Sequence, residues 1–300
     1  MSITAKIIAY SKAPNGQLIV TFELEYQRFI HGELMTHRLF SRNAASSRAI
    51  PVATIIDQVY NNPAMPIHWG ANQSGMQAKS ELTSIRKKAA KKLWKIAAKA
   101  ACRVATAMTR IGLHKQVANR ILEPFQTMKT VVTATCFENW FWLRDHADAQ
   151  PEIRALAVAM LNELDSQEPA RLSYNDWHMP YFGEGYWLEG CGIPLQDALA
   201  ISSSCCAQVS FRKLDDTLDK ARMIYARLVE SEPVHASPFE HQAKPMPFDF
   251  FCHDCQTAVD WPEGATHVDR DGNFWSGNFL GWIQHRQLIP NNVAPRRKGK

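Results

Sequence analysis

The sequence predicts an α+β protein in which helices dominate and a small antiparallel sheet completes the fold. Three observations lead to this class. One segment near the N-terminus is rich in β-branched and aromatic residues, several longer segments carry apolar residues at helical spacing, and no Gly-rich dinucleotide fingerprint is present. The last observation argues against a Rossmann-type site for flavin or NADPH.

The first half of the chain is predicted to begin with strands and to continue as helices. The chain opens in a strand, and residues 17–26 (QLIVTFELEY) predict another, because β-branched and aromatic residues partly alternate with polar ones. Residues 51–75 contain three prolines and turn sequences, which predict a loop. Helices are expected over residues 28–40, 80–112, 116–127, 133–145 and 149–164.

The second half is predicted to be more irregular. Residues 169–194 (including YNDWHMPYFGEGYW) are aromatic and rich in turns, too long for a simple connector. A helix is expected over 214–230, an irregular insertion over 248–277, and a last short helix over 278–288. We expect one domain over 1–300, made of residues 1–165, a connector at 166–194, and residues 195–300.

Composition limits the class of protein. A chain of 300 residues with 46% hydrophobic residues can bury a large core. The net charge of +5 suits anionic ligands but is too small to predict nucleic-acid binding. No apolar run approaches the ~20 residues of a membrane span, and no signal peptide opens the chain. Seven cysteines without framework spacing favour a reduced, cytoplasmic protein.

One segment is unusually rich in groups that bind anions. Residues 37–48 (HRLFSRNAASSR) hold three arginines, three serines, an Asn and a His behind an apolar segment. Arginine matches a phosphate bidentately, and serine hydroxyls satisfy further phosphate oxygens. On residue types alone, a solvated helix end and an anion site are both consistent with this segment.

The order of these residues resembles the signature of flavin-dependent thymidylate synthase (ThyX), Arg-His-Arg-x-x-Ser-x-Asn-x-x-Ser-x-Arg. Departures from the signature occur at Thr36, Ala44 and Ala49. Two further segments are similar to the same family. Residues 143–154 (LRDHADAQPEIR) resemble its Leu-Arg…Ala-Gln-x-Glu-Ile-Arg helix. Residues 207–210 (AQVS) resemble its Ala-Arg-Val-Ser motif, and residues 235–241 (HASPFEH) resemble its His-x-Thr-Pro-Phe-Glu-His motif.

The order of the motifs along the chain differs from the family's. The Pro-Phe-Glu-His block usually precedes the signature, and here it lies at 238–241, after both other motifs. Residues 282–286 (WIQHR) resemble a second, weaker copy of the signature. These features predict a circular permutation or a partial duplication.

The resemblance implies an enzyme, thymidylate synthase of the flavin-dependent type. It would methylate dUMP reductively to dTMP, with FAD as cofactor and NADPH and methylenetetrahydrofolate as co-substrates. It also implies a homo-oligomer whose active sites are shared between subunits. The oligomer would be a tetramer, or a dimer if one permuted chain supplies the residues that two subunits otherwise contribute to a site. No membrane contact and no metal are expected, and nucleic acid is not an expected partner.

The resemblance also implies roles for individual residues, each taken from its position in a motif. Arg154 is the expected catalytic residue, whose guanidinium stabilises negative charge developing on the pyrimidine. The expected dUMP-binding residues are Glu33, Ser46, Ser47, Arg48, Lys129 and Arg154. The expected FAD-binding residues are His37, Arg38, Arg144, Asp148, His235, Ser237, Glu240, His241, Gln284, His285 and Arg286.

Several alternatives stay open at this stage. Thr36, Glu33 and Ala44 leave room for a relative that modifies another pyrimidine nucleotide or installs hydroxymethyl. A nucleotide- or nucleic-acid-binding protein without flavin chemistry, which would bind through the basic helix and the 37–48 segment, is a third alternative. Arg154 could instead pair with Glu152 or Asp148 on the helix surface. The basic helix at 80–112 fits a solvated face, a nucleic-acid contact or a membrane contact. Cys252 and Cys255 supply two zinc ligands where a structural site needs four.

Overall fold

The computed structural model describes residues 3–209, 214–247 and 261–294. Within these ranges the chain has an α+β fold with eight α-helices. The helices are α1 (His31–Leu34), α2 (Val52–Asn61), α3 (Ser84–Arg110), α4 (Lys115–Ala118), α5 (Glu138–Arg144), α6 (Pro151–Asp165), α7 (Leu195–Ala207) and α8 (Leu218–Val229).

The strands form three small sheets. They are β1 (Thr4–Lys12), β2 (Leu18–Gln27), β3 (Ser41–Ala44), β4 (Thr127–Ala134), β5 (Ala170–Arg171), β6 (Trp177–His178), β7 (Tyr186–Trp187), β8 (Ala243–Pro245), β9 (His267–Val268), β10 (Phe274–Ser276), β11 (Phe279–Leu280) and β12 (Trp282–Gln284). The largest sheet has the order β3-β4-β2-β1-β5. Its neighbours run antiparallel except for β5, which pairs parallel to β1.

The main core lies between this sheet and α6. Apolar residues of β2, among them Phe22 and Leu24, pack in one cluster with Ile153, Leu156 and Met160 of α6. All five side chains are fully buried. The packing fixes the start of α6 against the sheet, and this places the residues of its first turn next to the signature segment.

A helical layer forms the second core of the first half. Val52, Ile55 and Val59 of α2 repeat at helical spacing and meet Ala98 and Cys102 of α3. Residue 112 is a glycine at φ +89°, a left-handed conformation that ends α3 at little steric cost.

A buried polar chain joins the main sheet to the second half of the molecule. Thr21 Oγ1 lies 2.7 Å from Thr133 Oγ1 and 2.8 Å from His178 Nε2. His178 Nδ1 is 2.9 Å from Ser11 Oγ, and Thr133 Oγ1 is 2.8 Å from His241 Nδ1. All five residues are fully buried, so these hydrogen bonds satisfy groups that water cannot reach.

Much of the predicted secondary structure is confirmed. The opening strand and the 17–26 strand are β1 and β2, the 80–112 and 149–164 helices are α3 and α6, and the 214–230 helix is α8. The 169–194 segment contains only the two-residue strands β5 to β7 between turns.

Three predicted helices in the first half are wrong in extent. The 28–40 helix ends at Leu34, because the Arg42 guanidinium binds the carbonyls of Met35 and His37 (3.2 and 2.9 Å) and redirects the chain into β3. The 133–145 helix begins only at Glu138, since the preceding β-branched residues belong to β4. The 116–127 helix continues beyond Ala118 only as a 3₁₀ helix, with Pro124 inside it.

Other predictions are corrected as well. The 51–75 loop contains α2, and the helix α7 was not predicted. The 278–288 helix is instead the strands β11 and β12 followed by one 3₁₀ turn. Part of the 248–277 insertion forms β9 and β10, and the remainder, with Cys252 and Cys255, lies outside the described residues.

Candidate active site

A cleft of about 1360 Å³ separates the start of α6 from residues 66–79. Its lining includes Phe29 and Trp94, whose rings meet edge to face. Four residues predicted from the motifs line it: Glu33, Arg144, Asp148 and Arg154. The folded chain therefore places Glu33, which precedes the arginine-rich signature, in one cleft with residues of the later Leu-Arg…Glu-Ile-Arg segment.

Arg144 is held at the edge of the cleft by His37 of the signature and by two residues that precede it. Its Nε donates to His37 Nε2 at 3.2 Å, its Nη2 donates to Thr36 Oγ1 at 3.3 Å, and its Nη1 lies 3.7 Å from a Glu33 carboxylate oxygen. A guanidinium fixed by three neighbours is preorganised for binding a planar or anionic ligand.

His37 is the neutral partner of this arginine. Burial, followed by the charges of Arg144 and Arg42, lowers the pKa of His37 to about 4. Since Nε2 accepts from Arg144, the ring proton sits on Nδ1 at neutral pH. The ring also packs edge to face on Trp140, with centroids 4.7 Å apart. His37 therefore orients Arg144.

Arg154 projects from the first turns of α6 and is about half exposed. Its Nε lies 3.3 Å from Asp145 Oδ1, so its partner is neither Glu152 nor Asp148. Asp148 is largely exposed beside His146. An arginine with a single exposed ion pair can turn toward a ligand at small energetic cost.

The predicted phosphate-binding residues do not line this cleft. Ser47 is buried and its hydroxyl donates to Glu123 Oε1 at 2.7 Å, so an internal contact holds this side chain. Lys129 pairs with Glu23 at 3.2 Å. Arg48 is exposed, and Ser46 is half-buried.

A carboxylate already occupies the donors around Ser47. Arg28 and Arg120 both donate to the same oxygen of Glu123, at 3.1 and 3.0 Å. Nothing in the local sequence singles out Arg28, Arg120 and Glu123. The contacts of Glu123 with Ser47 and Arg28 join residues that are 76 and 95 positions apart. The Glu123 carboxylate thus occupies the place beside Ser47, Arg28 and Arg120 where an external anion could otherwise bind.

Substitution of Ser47 distinguishes an internal role from a ligand contact. Ser47→Ala is expected to lower the free energy of unfolding by about 1–3 kcal/mol, because it leaves a part-buried carboxylate with one donor fewer. Ligand affinity should be unchanged. Urea denaturation and nucleotide titration measure the two quantities, with the exposed Arg48→Ala as comparison; weaker nucleotide binding by Ser47→Ala at unchanged stability would contradict the internal role.

The Pro-Phe-Glu-His block packs against the signature strand β3. Gln284 Nε2 donates to Ser41 Oγ at 3.1 Å, 243 positions away in sequence, and to the Glu240 carbonyl at 3.2 Å. Arg286 forms an ion pair with Glu240. Burial raises the pKa of Glu240, while the charges of Arg286 and Arg42 act in the opposite direction.

Several residues predicted to contact flavin, in the Pro-Phe-Glu-His block and at 284–285, lie in the interior. His241, Gln284 and His285 are buried, with His241 bonded to Thr133 and His285 stacked on Phe239 at 5.6 Å between centroids. Burial lowers the pKa of both histidines to about 3. Internal contacts hold all three side chains, and their predicted FAD contacts stay predictions. Arg38, His235 and Ser237 are exposed, and their predicted flavin contacts stay predictions.

Two wider observations concern metals and membranes. Within the three described ranges, no group of three or more His, Cys, Asp or Glu side chains is arranged to hold a metal ion. None of the helices in those same ranges is both long enough and apolar enough to span a membrane.

The structure is that of an α+β protein in which two arginines, Arg144 and Arg154, line a cleft of about 1360 Å³. The family model described as thymidylate synthase complementing protein matches residues 11–170, just over half of the chain. The chain belongs to this family, the ThyX family. The Pro-Phe-Glu-His block at 238–241 lies outside the matched residues.

Two solved structures are similar to the chain. Both are of the UMP/dUMP methylase PolB from Streptomyces cacaoi, one bound with 5-Br dUMP and one with 5-Br UMP. The first is 15% identical with a TM-score of 0.45, covering 55% of this chain and 91% of its own. The second is 16% identical with a TM-score of 0.44, covering 55% and 90%. No curated protein sequence matches the chain.

Proposed function

We propose that this protein is a flavin-dependent thymidylate synthase, which methylates dUMP reductively to dTMP with methylenetetrahydrofolate and NADPH. The observation that carries the proposal is the contact between two family motifs at the edge of one cleft. Arg144 and Arg154, from the two ends of the 143–154 segment, line the cleft, and His37 of the signature holds Arg144. Family membership makes nucleotide modification the first function to test.

The cleft residues fit an anionic nucleotide and a flavin. Two guanidiniums offer donors to carbonyl and phosphate oxygens, and the partly exposed Phe29 beside Trp94 offers an apolar wall for a planar ring. We assign FAD contacts to Arg144 and Asp148 in the cleft and to His37 beside Arg144. Bound reduced flavin would supply the electrons of the reaction and relay the folate's methylene group.

Arg154 acts on the pyrimidine in this proposal. Its guanidinium turns from Asp145 toward the ring carbonyl and N3, where it stabilises the negative charge that develops as carbon 5 becomes nucleophilic. The guanidinium acts through its charge and its donors, so the role needs no proton transfer by Arg154. Glu33, on the other side of Arg144, lies where it can accept a hydrogen bond from the nucleotide.

The separation of the nucleotide residues supports an oligomeric enzyme. Ser46 and Arg48 are not among the residues that line the cleft of the same chain, so we propose that a second copy completes each site. The helix α3 presents an unpaired apolar stripe for such a contact. Its members are all exposed: Ile85, Ala89, Leu93, Ile96, Ala100, Val104, Ala107 and Ile111.

A second candidate is a related enzyme that modifies another pyrimidine nucleotide or transfers hydroxymethyl. The presence of Glu33 in the cleft favours keeping it, because a carboxylate accepts hydrogen bonds but cannot donate them as an amide does. A base with an exocyclic amine would satisfy that acceptor better than one with a carbonyl in the same place.

Product analysis tests the proposal and separates the two candidates. Purified protein is incubated with FAD, NADPH and methylenetetrahydrofolate, and with dUMP, UMP or dCMP in separate reactions. The proposal expects dTMP from dUMP as the main product. Methylated or hydroxymethylated UMP or dCMP, formed faster than dTMP, would favour the second candidate, and no modified product from any of the three would contradict both.

A further inference from the structure

A buried carboxylate without a cationic partner stands at the wall of the cleft. Glu152 lines the cavity, yet only 2% of its surface is exposed. No salt bridge within the described residues involves it, whereas Arg154, two positions later, is half exposed and ion-paired. Burying an acidic group without a counter-charge is costly, so its hydrogen bonds need an explanation.

The partners of Glu152 come from the start of α6 and from the segment opposite. Its Oε1 accepts the backbone N–H of Ile67 at 2.7 Å, and its other oxygen accepts from the Gln150 side-chain amide. Gln150 in turn caps α6 by accepting the N–H of Ile153 at 3.0 Å. The positive end of the α6 dipole favours a carboxylate in this first turn.

Ile67 belongs to a hairpin that forms the opposite wall of the cleft, residues 66–82. Ala71 N donates to the Ser80 carbonyl at 2.7 Å, and Leu82 N to the Trp69 carbonyl at 2.9 Å. His68 donates from Nε2 to the Ala78 carbonyl at 2.8 Å. A Cβ on Gly70 would lie 2.1 Å from Ala78 Cβ, so the two arms approach too closely for any larger residue.

We propose that Glu152 is a positioning residue that ties the 66–82 hairpin to α6 and so sets the width of the cleft. The hydrogen bond from the Ile67 N–H to Glu152 connects the two walls of the cleft, the hairpin and α6. The ligand side of Arg154 then faces hairpin residues that line the same cavity, among them His68 and Lys79. The identity of the ligand as a pyrimidine nucleotide rests on the proposed function; the tether itself does not.

A purely structural role is the competing explanation, and Glu163 provides a matched control for it. Glu163 is also a carboxylate of α6 that accepts a backbone N–H, from Ile7 at 3.2 Å, but it lies at the end of the helix away from the cleft. Glu152→Ala and Glu163→Ala should both lower stability. Only Glu152→Ala should loosen the hairpin and change kcat/KM for the nucleotide.

The experiment compares Glu152→Ala, Glu152→Gln, Glu163→Ala and Ile67→Pro in the FAD-loaded protein. Glu152→Ala is expected to lower kcat/KM for dUMP about 10- to 100-fold, since small misplacements in a site have effects of that size. Glu152→Gln keeps an acceptor for the Ile67 N–H and should remain within about threefold of wild type. Ile67→Pro removes the donor, so its effect should not add to that of Glu152→Ala.

Hydrogen exchange of the Trp69, Ala71 and Leu82 amides gives a readout that does not depend on activity. Faster exchange in Glu152→Ala but not in Glu163→Ala supports the tether, and equal exchange in both overturns it. Equal kcat/KM for the two alanine variants likewise overturns a positioning role. Wild-type protein that binds neither FAD nor dUMP would overturn the proposed function, and the exchange rates would still decide the tether.

Discussion

Arg154→Ala is expected to lower kcat for dUMP methylation by about 10²–10³-fold, the usual effect of removing one preorganised charge-stabilising donor. The loss should fall on kcat more than on KM, because the negative charge on the pyrimidine is largest in the transition state. The fold should be unaffected, since Arg154 is half exposed and forms one ion pair, to Asp145. Steady-state kinetics and a urea titration measure the two effects.

Two variants control this experiment. Arg222→Ala removes another exposed arginine that pairs with a single aspartate, Asp197, outside the cleft, and should leave kcat unchanged. Arg154→Lys keeps the charge but loses the planar fork, so its kcat should lie between those of wild type and Arg154→Ala. A kcat for Arg154→Ala within about threefold of wild type would contradict the catalytic role, because no group in the proposed mechanism could replace it.

Stability is expected to fall steeply below pH 6. Burial lowers the pKa of His178, His241 and His285 from 6.5 to about 3. Between these values the unfolded chain binds protons that the folded chain does not, so protonation favours unfolding. The stabilisation is complete above pH 6.5 and is lost as the pH falls toward 3. Three such histidines give a slope of about 4 kcal/mol per pH unit, and His37 acts in the same direction.

Urea denaturation at pH 7.5, 6.5, 5.5 and 4.5 measures this slope. His285→Phe removes one titrating ring while keeping an aromatic ring stacked on Phe239, so its slope should be smaller by about 1.4 kcal/mol per pH unit. The exposed His267→Gln is the control and should leave the slope unchanged. A free energy of unfolding that stays constant from pH 6.5 to 4.5 would show that these rings are not held neutral in the fold.

The sequence predicted those elements whose pattern is local. The strand β2 and the helices α3 and α6 carry their own periodicity and stop signals, and all three are present. The strand β4 was missed because its β-branched residues, Thr130 to Thr133, precede a helix. Its identity depends on pairing with β2 and β3 from distant parts of the chain.

The candidate site was predictable to the extent that family motifs mark it. Arg144 and Arg154 were found through their motifs and lie in one cleft. The roles of Glu123 and Glu152 could not be found in this way. Each depends on a hydrogen bond to a residue more than 70 positions away, Ser47 and Ile67, and neither local composition nor spacing encodes such a contact.

The central claim is that a flavin and a pyrimidine nucleotide share one working site, and the absorption spectrum of the purified protein tests it most directly. FAD is titrated into the protein, unbound flavin is removed, and NADPH is added with and without dUMP. We predict a protein-bound flavin band that bleaches faster when dUMP is present and more slowly with dUMP in the Arg154→Ala variant. The claim would be contradicted if the protein retained no flavin, or if the rate of flavin reduction by NADPH were the same with and without dUMP.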